Sequence, residues 1–294
     1  MDKRTTVSLF GPGALGGAII DLIPRLKEYR LHSVWGRSAE ECLIYSETAE
    51  PIPADKPFPE SSSDLGSLIL IAVPDGEIAP LARKLASQNV QWNNRSVVHL
   101  SGSQPADSLS ELKDCGARTA TLHPLQTFTR GDDYRRFEGI WFTLQGDESL
   151  FPELEHMIKQ AGAQSVQMTA KQKSGMHLAA VFASNYLVAL MRVVEQITQE
   201  NNIENGLNLL QPIIQQTIQN IFEKGPQHSL SGPVARGDLS TLSAHLQALN
   251  SNPELETLYR QLGKKACHLA IKSGQLNEES AEKVMNLFNA TGDE

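Results

Sequence analysis

The first 170 residues alternate short apolar and β-branched runs with stretches of helical period, and the remainder carries helical period alone. Strands are predicted over Thr6–Phe10, Ser33–Trp35, Leu68–Val73, Ser96–Leu100, Arg118–Leu122, Ile140–Leu144 and Ser165–Met168. The near-continuous apolar run Leu68–Val73 suits a strand covered on both faces, as in a parallel sheet. Ser38 to Glu41 reads as a capping box, and Gly116 and Gly162 fall where helix C-caps belong. Residues 51–66, with four prolines and a serine run, predict an irregular loop holding at most a short strand. Past about Thr169 helices are predicted over Lys171–Glu200, Glu204–Glu223, Leu239–Leu249, Pro253–Lys272 and Glu278–Asn289. Pro212 should start or kink the second of these, and Gly225–Asp238 should be a loop. The expected architecture is an α/β domain with a mostly parallel sheet over residues 1–169, then an all-α domain over 170–294.

Composition narrows the class. A chain of 294 residues fits two domains, and 26 Lys and Arg against 34 Asp and Glu give a net charge of −8. The acidity is spread over both halves, with 16 basic and 22 acidic residues through Gln164, so no nucleic-acid partner is expected. Cys42, Cys115 and Cys267 are far apart and odd in number, which argues against a disulfide framework and against a metal site. The early apolar stretch Ala14–Ile23 is too short for a membrane span, contains Asp21 and lacks a cleavage-type flank. A cytoplasmic protein with no membrane partner is the expectation.

The strongest motif is Gly11-Pro12-Gly13-Ala14-Leu15-Gly16, placed after a strand and opening an apolar helix. In that context the glycines make a dinucleotide fingerprint: Gly11 for the tight turn, Gly13 for room beside a pyrophosphate, Gly16 for close helix packing. The helix N-terminus adds N–H groups for the phosphates, and the domain reads as a Rossmann domain. An NAD site would carry an acidic residue at the end of the second strand. Here the chain has Trp35-Gly36-Arg37-Ser38, and Arg37 with Ser38 suits a 2′-phosphate, so NADP(H) is the expected cofactor. Glu40 and Glu41 could also reach back to this point.

Ligands in such sheets sit outside the carboxyl ends of strands. Three ends carry candidate residues: Ala72-Val73-Pro74-Asp75, Leu100-Ser101-Gly102-Ser103 and Leu122-His123-Pro124-Leu125. The first two would flank the cofactor, with Asp75 read as a helix cap, and the third would place His123 near the reactive ring.

The fingerprint, together with the segments Ile69–Asp75, Val97–Ser103, Leu122–Phe128, His177–Leu190 and Ser231–Asp238, resembles a bacterial family of Rossmann-like proteins. Its members carry a C-terminal helical domain of unknown function. The resemblance runs from about Thr5 to Phe288. The family is similar to pyrroline-5-carboxylate reductase, the β-hydroxyacid dehydrogenases and the NADP oxidoreductases that use a deazaflavin coenzyme. The resemblance implies an NADP-linked oxidoreductase, a helical domain like that of 6-phosphogluconate dehydrogenase, and a homodimer formed through it. One departure matters. The hydroxyacid dehydrogenases place a Lys and an Asn four residues apart on the first long helix after the nucleotide domain. Here Lys173 is followed by His177, with Asn185 further on, so that mechanism does not transfer.

His177, Val181, Ser184 and Asn185 share one helical face that should wall a cleft between the domains. Hydride transfer to a carbonyl or imine needs a proton donor, which assigns His177 or His123 as general acid–base and Asn185 as a group orienting the substrate. Lys173, Ser184 and Arg236 are candidate substrate contacts, whereas Asp238 is read as the cap of the helix that follows it. His32, His99, His156, His228, His245 and His268 are read as having no convergent partners. The apolar stripe Leu209, Ile213 and Ile221 is read as core or dimer seam. The expected function is an NADP-dependent oxidoreductase acting on a small polar metabolite. The alternatives are a catalytically silent NADP(H) sensor or scaffold, and a deazaflavin-linked oxidoreductase.

Overall fold

The apolar runs of the first half assemble into a single nine-stranded sheet in a computed structural model that describes residues 3–45 and 51–290. The outermost residues of both expected domains lie outside that range. The strands are β1 (Thr5–Phe10), β2 (Tyr29–Trp35), β3 (Leu43–Tyr45), β4 (Pro51–Pro53), β5 (Leu68–Ile71), β6 (Ser96–His99), β7 (Arg118–Pro124), β8 (Trp141–Gly146) and β9 (Gln164–Gln167). Their order is β4-β3-β2-β1-β5-β6-β7-β8-β9, and β2 through β7 across β1 pair in parallel. β8 runs antiparallel to β7, and β9 lies parallel to β8. The chain leaves β1 for β2 on one side and returns to β5 on the other, so the order reverses beside β1. That reversal is where ligands bind in open α/β sheets.

Helices cover both faces, which accounts for the continuous apolar runs. α1 (Ala14–Leu22), α2 (Asp75–Ala86), α3 (Ser110–Asp114) and α4 (Phe151–Gln160) alternate with the strands. Leu68 and Leu70 of β5 join the core with Ile19, Leu22 and Leu154, while Ile69 and Ile71 join the opposite core with Ile78, Leu85 and Leu112. This two-residue alternation is the pleat of a strand buried on both sides. Gly116 and Gly162, each at positive φ, follow α3 and α4 as expected.

Three local expectations change. β2 begins at Tyr29, four residues early, because Arg30 and His32 alternate with buried Tyr29 and Leu31. β3 and β4 add an antiparallel edge in which prolines are tolerated for want of an outer neighbour. The Ser38–Glu41 capping box does not form. Ser38 makes no side-chain cap bond, and Glu41 Oε2 accepts the N–H of Arg37 at 2.8 Å instead.

The first compact unit extends to Tyr186 and the second begins at Leu187. Composition changes at Thr169 because strands end there, yet α5 (Ala170–Ala183) packs with the sheet. Its capping box pairs Thr169 with Gln172. The expected helix Lys171–Glu200 is broken at Ser184 (φ −119°, ψ −71°), where α6 (Asn185–Glu200) takes over.

The second unit holds α7 (Gly206–Lys224), α8 (Pro233–Arg236), α9 (Leu239–Leu249), α10 (Pro253–Lys272) and α11 (Glu278–Asn289). Pro212 lies inside α7 rather than at its start, and α8 occupies part of the expected loop. Asp238, Asn252 and Asn277 accept backbone N–H bonds from Thr241, Leu255 and Ser280, which fixes the starts of α9 to α11. Leu242, Cys267, Ala270, Val284 and Phe288 form the core of this unit. By length and composition the helical stretch Ala170–Glu200 could cross a membrane. Lys173, buried against backbone of the sheet unit, ties its first half into the fold instead.

Candidate active site

The glycine turn lies at the reversal of strand order. The N–H of Gly11 donates to Trp35 O at 2.9 Å, and the N–H of Ala72 donates to Phe10 O at 2.8 Å. The ends of β1, β2 and β5 are thereby held level. Gly11 has φ +90°, and a Cβ there would lie 2.7 Å from Ala72 O, so only glycine fits. A Cβ on Gly16 would overlap the carbonyl of Gly11, which allows the close seating of α1 on the turn. At Gly13 nothing lies within 4 Å of that position, leaving open space beside the helix. α1 starts there without a side-chain cap and without an acidic residue in its first turn, an arrangement that suits an anion.

This turn forms one wall of a cleft of about 790 Å³, within the usual range of cofactor sites. Of the sequence-predicted residues, Gly11, Pro12, Gly13, Arg37, Ala72, Val73 and Pro74 line it, whereas Ala14, Leu15, Gly16, Ser38, Ser101 and Gly102 do not. Leu15 packs against the core, and Ser38 is exposed on the outside of its turn. Trp35, Glu41, Phe58, Lys84 and Arg130 are among the other residues of the wall, with the Lys84 ammonium 4.0 Å from the Phe58 ring centroid. Glu41 was one of two acidic residues expected to be able to reach back here, whereas Phe58, Lys84 and Arg130 were missed because they come from two loops and a helix, with no contiguous signal.

Next to the cleft lies a group of titratable side chains. Pro74 belongs to the cleft wall, and the following residue, Asp75, accepts a hydrogen bond from Ser103 Oγ in the loop after β6. Asp75 is the first residue of α2 rather than its cap, correcting the sequence expectation. Burial opposes its charge, but the hydroxyls of Ser101 and Ser103 and the nearby His177 and His99 hold its carboxyl below the ordinary range.

The loop after β6 is held from beneath. Lys173 of α5 is 2% exposed, and its Nζ donates to Ser101 O (2.6 Å), Gly102 O (2.8 Å) and Gln104 O (2.7 Å). Burial lowers its pKa to about 8, against the pull of Asp75. Three carbonyls match the three N–H bonds of the charged ammonium, the form present at neutral pH. Lys173 therefore has no donor left for a substrate, and its geometry is that of a positioning residue.

His99 also holds this loop, contrary to its reading as a histidine without partners. It is fully buried, its Nε2 donates to Pro105 O at 3.0 Å, and its Nδ1 accepts the N–H of Ser101 at 3.3 Å. Burial drives its pKa down to about 4, so the ring is neutral. Its place at the end of a parallel strand, beside Ser101, was the signal that could have found it.

His123 and His177 close over the same loop. The two rings are 6.0 Å apart at 75°. A Cβ on Gly102 would lie 2.5 Å from His177 Nδ1 and 2.6 Å from His123 Nε2, so only a bare backbone fits between them. His123 Nδ1 donates to Leu100 O at 3.0 Å, which leaves Nε2 as the acceptor in the neutral ring. Burial, and then Lys173 and His177, keep its pKa below the ordinary histidine value. His177 Nδ1 is buried without a hydrogen-bond partner. Two ring nitrogens thus face one position with uncommitted hydrogen-bonding capacity, which fits proton exchange with a small ligand.

Asn185 and Ser184 do not join this group. The break at Ser184 ends the shared helical face, and Asn185 lies eight residues, about 12 Å, along the axis from His177. Arg236 is exposed at the end of α8 in the second unit, and Asp238 is the cap it was expected to be. Among the described residues no group of His, Cys, Asp and Glu could hold a metal ion.

Residues 2–124 match the Rossmann-like domain family, and residues 140–266 match a domain of unknown function, DUF2520. No curated protein matches the chain in sequence. Among solved structures, a Bacteroides fragilis protein assigned as an NADP oxidoreductase is 20% identical with a TM-score of 0.72, covering 90% of this chain and 99% of its own. A Myxococcus stipitatus imine reductase in complex with NADP+ is 14% identical with a TM-score of 0.58, covering 96% of this chain and 92% of its own. A Plasmodium falciparum pyrroline carboxylate reductase with NADP bound is 9% identical with a TM-score of 0.53, covering 98% of this chain and 100% of its own. At these identities the likeness establishes the fold. The chain therefore joins a Rossmann-like domain to a DUF2520 domain, as its sequence resemblance implies.

Proposed function

We propose that this chain is an NADP(H)-dependent oxidoreductase that moves a hydride between the nicotinamide and a carbonyl or imine carbon of a small polar metabolite. The observation that carries the reading is the β5–α2 turn. It joins the wall of the glycine-turn cleft, at Pro74, to the histidine group, through Asp75 and Ser103. The residues present fit a dinucleotide: Gly11 to Gly13 and the uncapped N-terminus of α1 would hold the pyrophosphate, and Arg37 would hold the 2′-phosphate.

When bound, the reduced cofactor supplies the hydride. In the reductive direction His123, protonated at Nε2, gives that proton to the substrate oxygen or nitrogen as the hydride reaches carbon. In the oxidative direction the neutral ring takes it back, while Nδ1–H stays on Leu100 O. His177 Nδ1, buried without a partner beside the same position, is the second candidate for this proton. Lys173 and His99 hold the Ser101–Gln104 backbone that separates the two rings.

An untargeted metabolite screen read by NADPH consumption tests the activity. With a substrate in hand, His123→Ala or His177→Ala should lower kcat about 100-fold or more. Unchanged turnover in both would refute the assignment. A catalytically silent sensor is favoured by one observation, the full engagement of Lys173, and it predicts NADPH binding without turnover of any metabolite. The second unit leaves Val188 (69%), Leu209 (66%), Ile213 (62%) and Phe222 (86%) exposed on α6 and α7. In this reading a second copy of the chain covers them. Light scattering should give a dimer that Phe222→Lys weakens, and a monomeric wild type would oppose it.

A further inference from the structure

We propose that Glu41 is a displaceable internal anion that sets the preference between NADP(H) and NAD(H). It holds the N–H of Arg37 against the incoming 2′-phosphate. The inference rests on the dinucleotide reading of the cleft.

Glu41 Oε2 accepts the N–H of Arg37 at 2.8 Å, immediately after β2. Both residues line the cleft that begins at the glycine turn. The carboxylate reaches this position because residue 36 is glycine: a Cβ there would collide with Glu41 Cβ and lie 2.7 Å from Oε2. A single 3₁₀ turn, Ala39–Glu41, closed by the Glu41 N–H on Ser38 O at 3.1 Å, folds Glu41 back over Gly36. The Glu41 carboxylate is bound to the Arg37 backbone, and the exposed Arg37 guanidinium presents a fixed positive charge to an anion in the cleft.

Two opposite preferences therefore meet at the end of β2. The Arg37 side chain attracts a 2′-phosphate. The carboxylate repels that phosphate, which carries most of two negative charges, and accepts bonds from the hydroxyls of an unphosphorylated ribose. Binding of the phosphate requires Glu41 to leave the Arg37 N–H, whereas binding of the diol does not. The ratio of NADPH to NADH affinity is thus smaller than Arg37 alone would give.

The test is a titration of NADPH and NADH into the full chain and its Glu41→Ala and Glu41→Gln variants. Glu41 is exposed and outside the core, and circular dichroism would show that both variants fold. Glu41→Ala should raise the NADPH-to-NADH affinity ratio about tenfold or more, the scale of one charged hydrogen bond. Glu41→Gln, which keeps an uncharged acceptor for the Arg37 N–H, should raise it by less. An unchanged ratio in both variants overturns the role of Glu41 while leaving the cofactor reading standing. Failure of either dinucleotide to bind wild type and variants alike overturns both.

Discussion

Replacing Lys173 by Met removes an ammonium whose three protons all end on backbone carbonyls, while keeping most of its apolar length. Each hydrogen bond from a charged donor contributes about 1.5–3 kcal/mol, but three such terms do not add in full. The variant no longer buries a charge, and water can reach the half-exposed Gln104 carbonyl. Ser101 and Gly102 are buried, and their carbonyls are left without partners. Each buried acceptor left unsatisfied costs about 1–3 kcal/mol, and with part of that offset by the charge no longer buried the expected loss is roughly 3–5 kcal/mol. For a unit of this size that is a fall of about 6–20 °C in Tm. Lys173→Arg should not rescue it, because a flat guanidinium cannot converge three donors on three carbonyls. Trp35, Trp92 and Trp141 all lie in the first unit, so tryptophan fluorescence during urea unfolding reports on it alone. A Lys173→Met midpoint equal to that of wild type would mean that the three bonds of Lys173 do not hold the first unit together.

Gly11→Ala meets both a φ of +90° and the carbonyl of Ala72, and should cost about 1–3 kcal/mol of stability together with NADPH binding. Equal affinity by titration would count against the turn. Gly102→Ala should abolish turnover by wedging apart His123 Nε2 and His177 Nδ1, with NADPH binding retained; full activity would remove those nitrogens from the mechanism. His99 has a folded pKa of about 4 against an ordinary value of 6.5. The unfolded chain binds the extra proton between those values, so stability is full above pH 6.5 and falls by about 3 kcal/mol toward pH 4. Urea midpoints across that range should flatten in His99→Gln, and an identical pH slope in the variant would contradict the assignment.

The glycine fingerprint was legible because its physics is local: one strand, one turn and one helix start share six consecutive residues. The starts of α9 to α11 were equally legible, since Asp238, Asn252 and Asn277 cap helices within three residues of themselves. The histidine group was only half legible. His99, His123 and His177 come from β6, β7 and α5, and only the parallel pairing of β6 with β7 brings the first two together. Lys173 could be placed on its helix from sequence, but not its three acceptors, which lie about seventy residues away. Glu41 fitted a capping box by spacing, yet the absent side chain of Gly36 draws it to the Arg37 N–H. β4 is the short strand that residues 51–66 were expected to hold at most, its prolines tolerated at the edge, whereas the three residues of β3 are too few to show a strand pattern.

The reading proposed for this chain stands or falls on whether the glycine-turn cleft binds a nicotinamide dinucleotide through the N-terminus of α1. Titrating NADPH into the wild-type chain, read by the fluorescence of the nicotinamide and of Trp35 in the cleft wall, tests it most directly. Saturable one-to-one binding that Gly11→Ala abolishes is the expected result. Absence of binding, or binding that Gly11→Ala leaves unchanged, would contradict it.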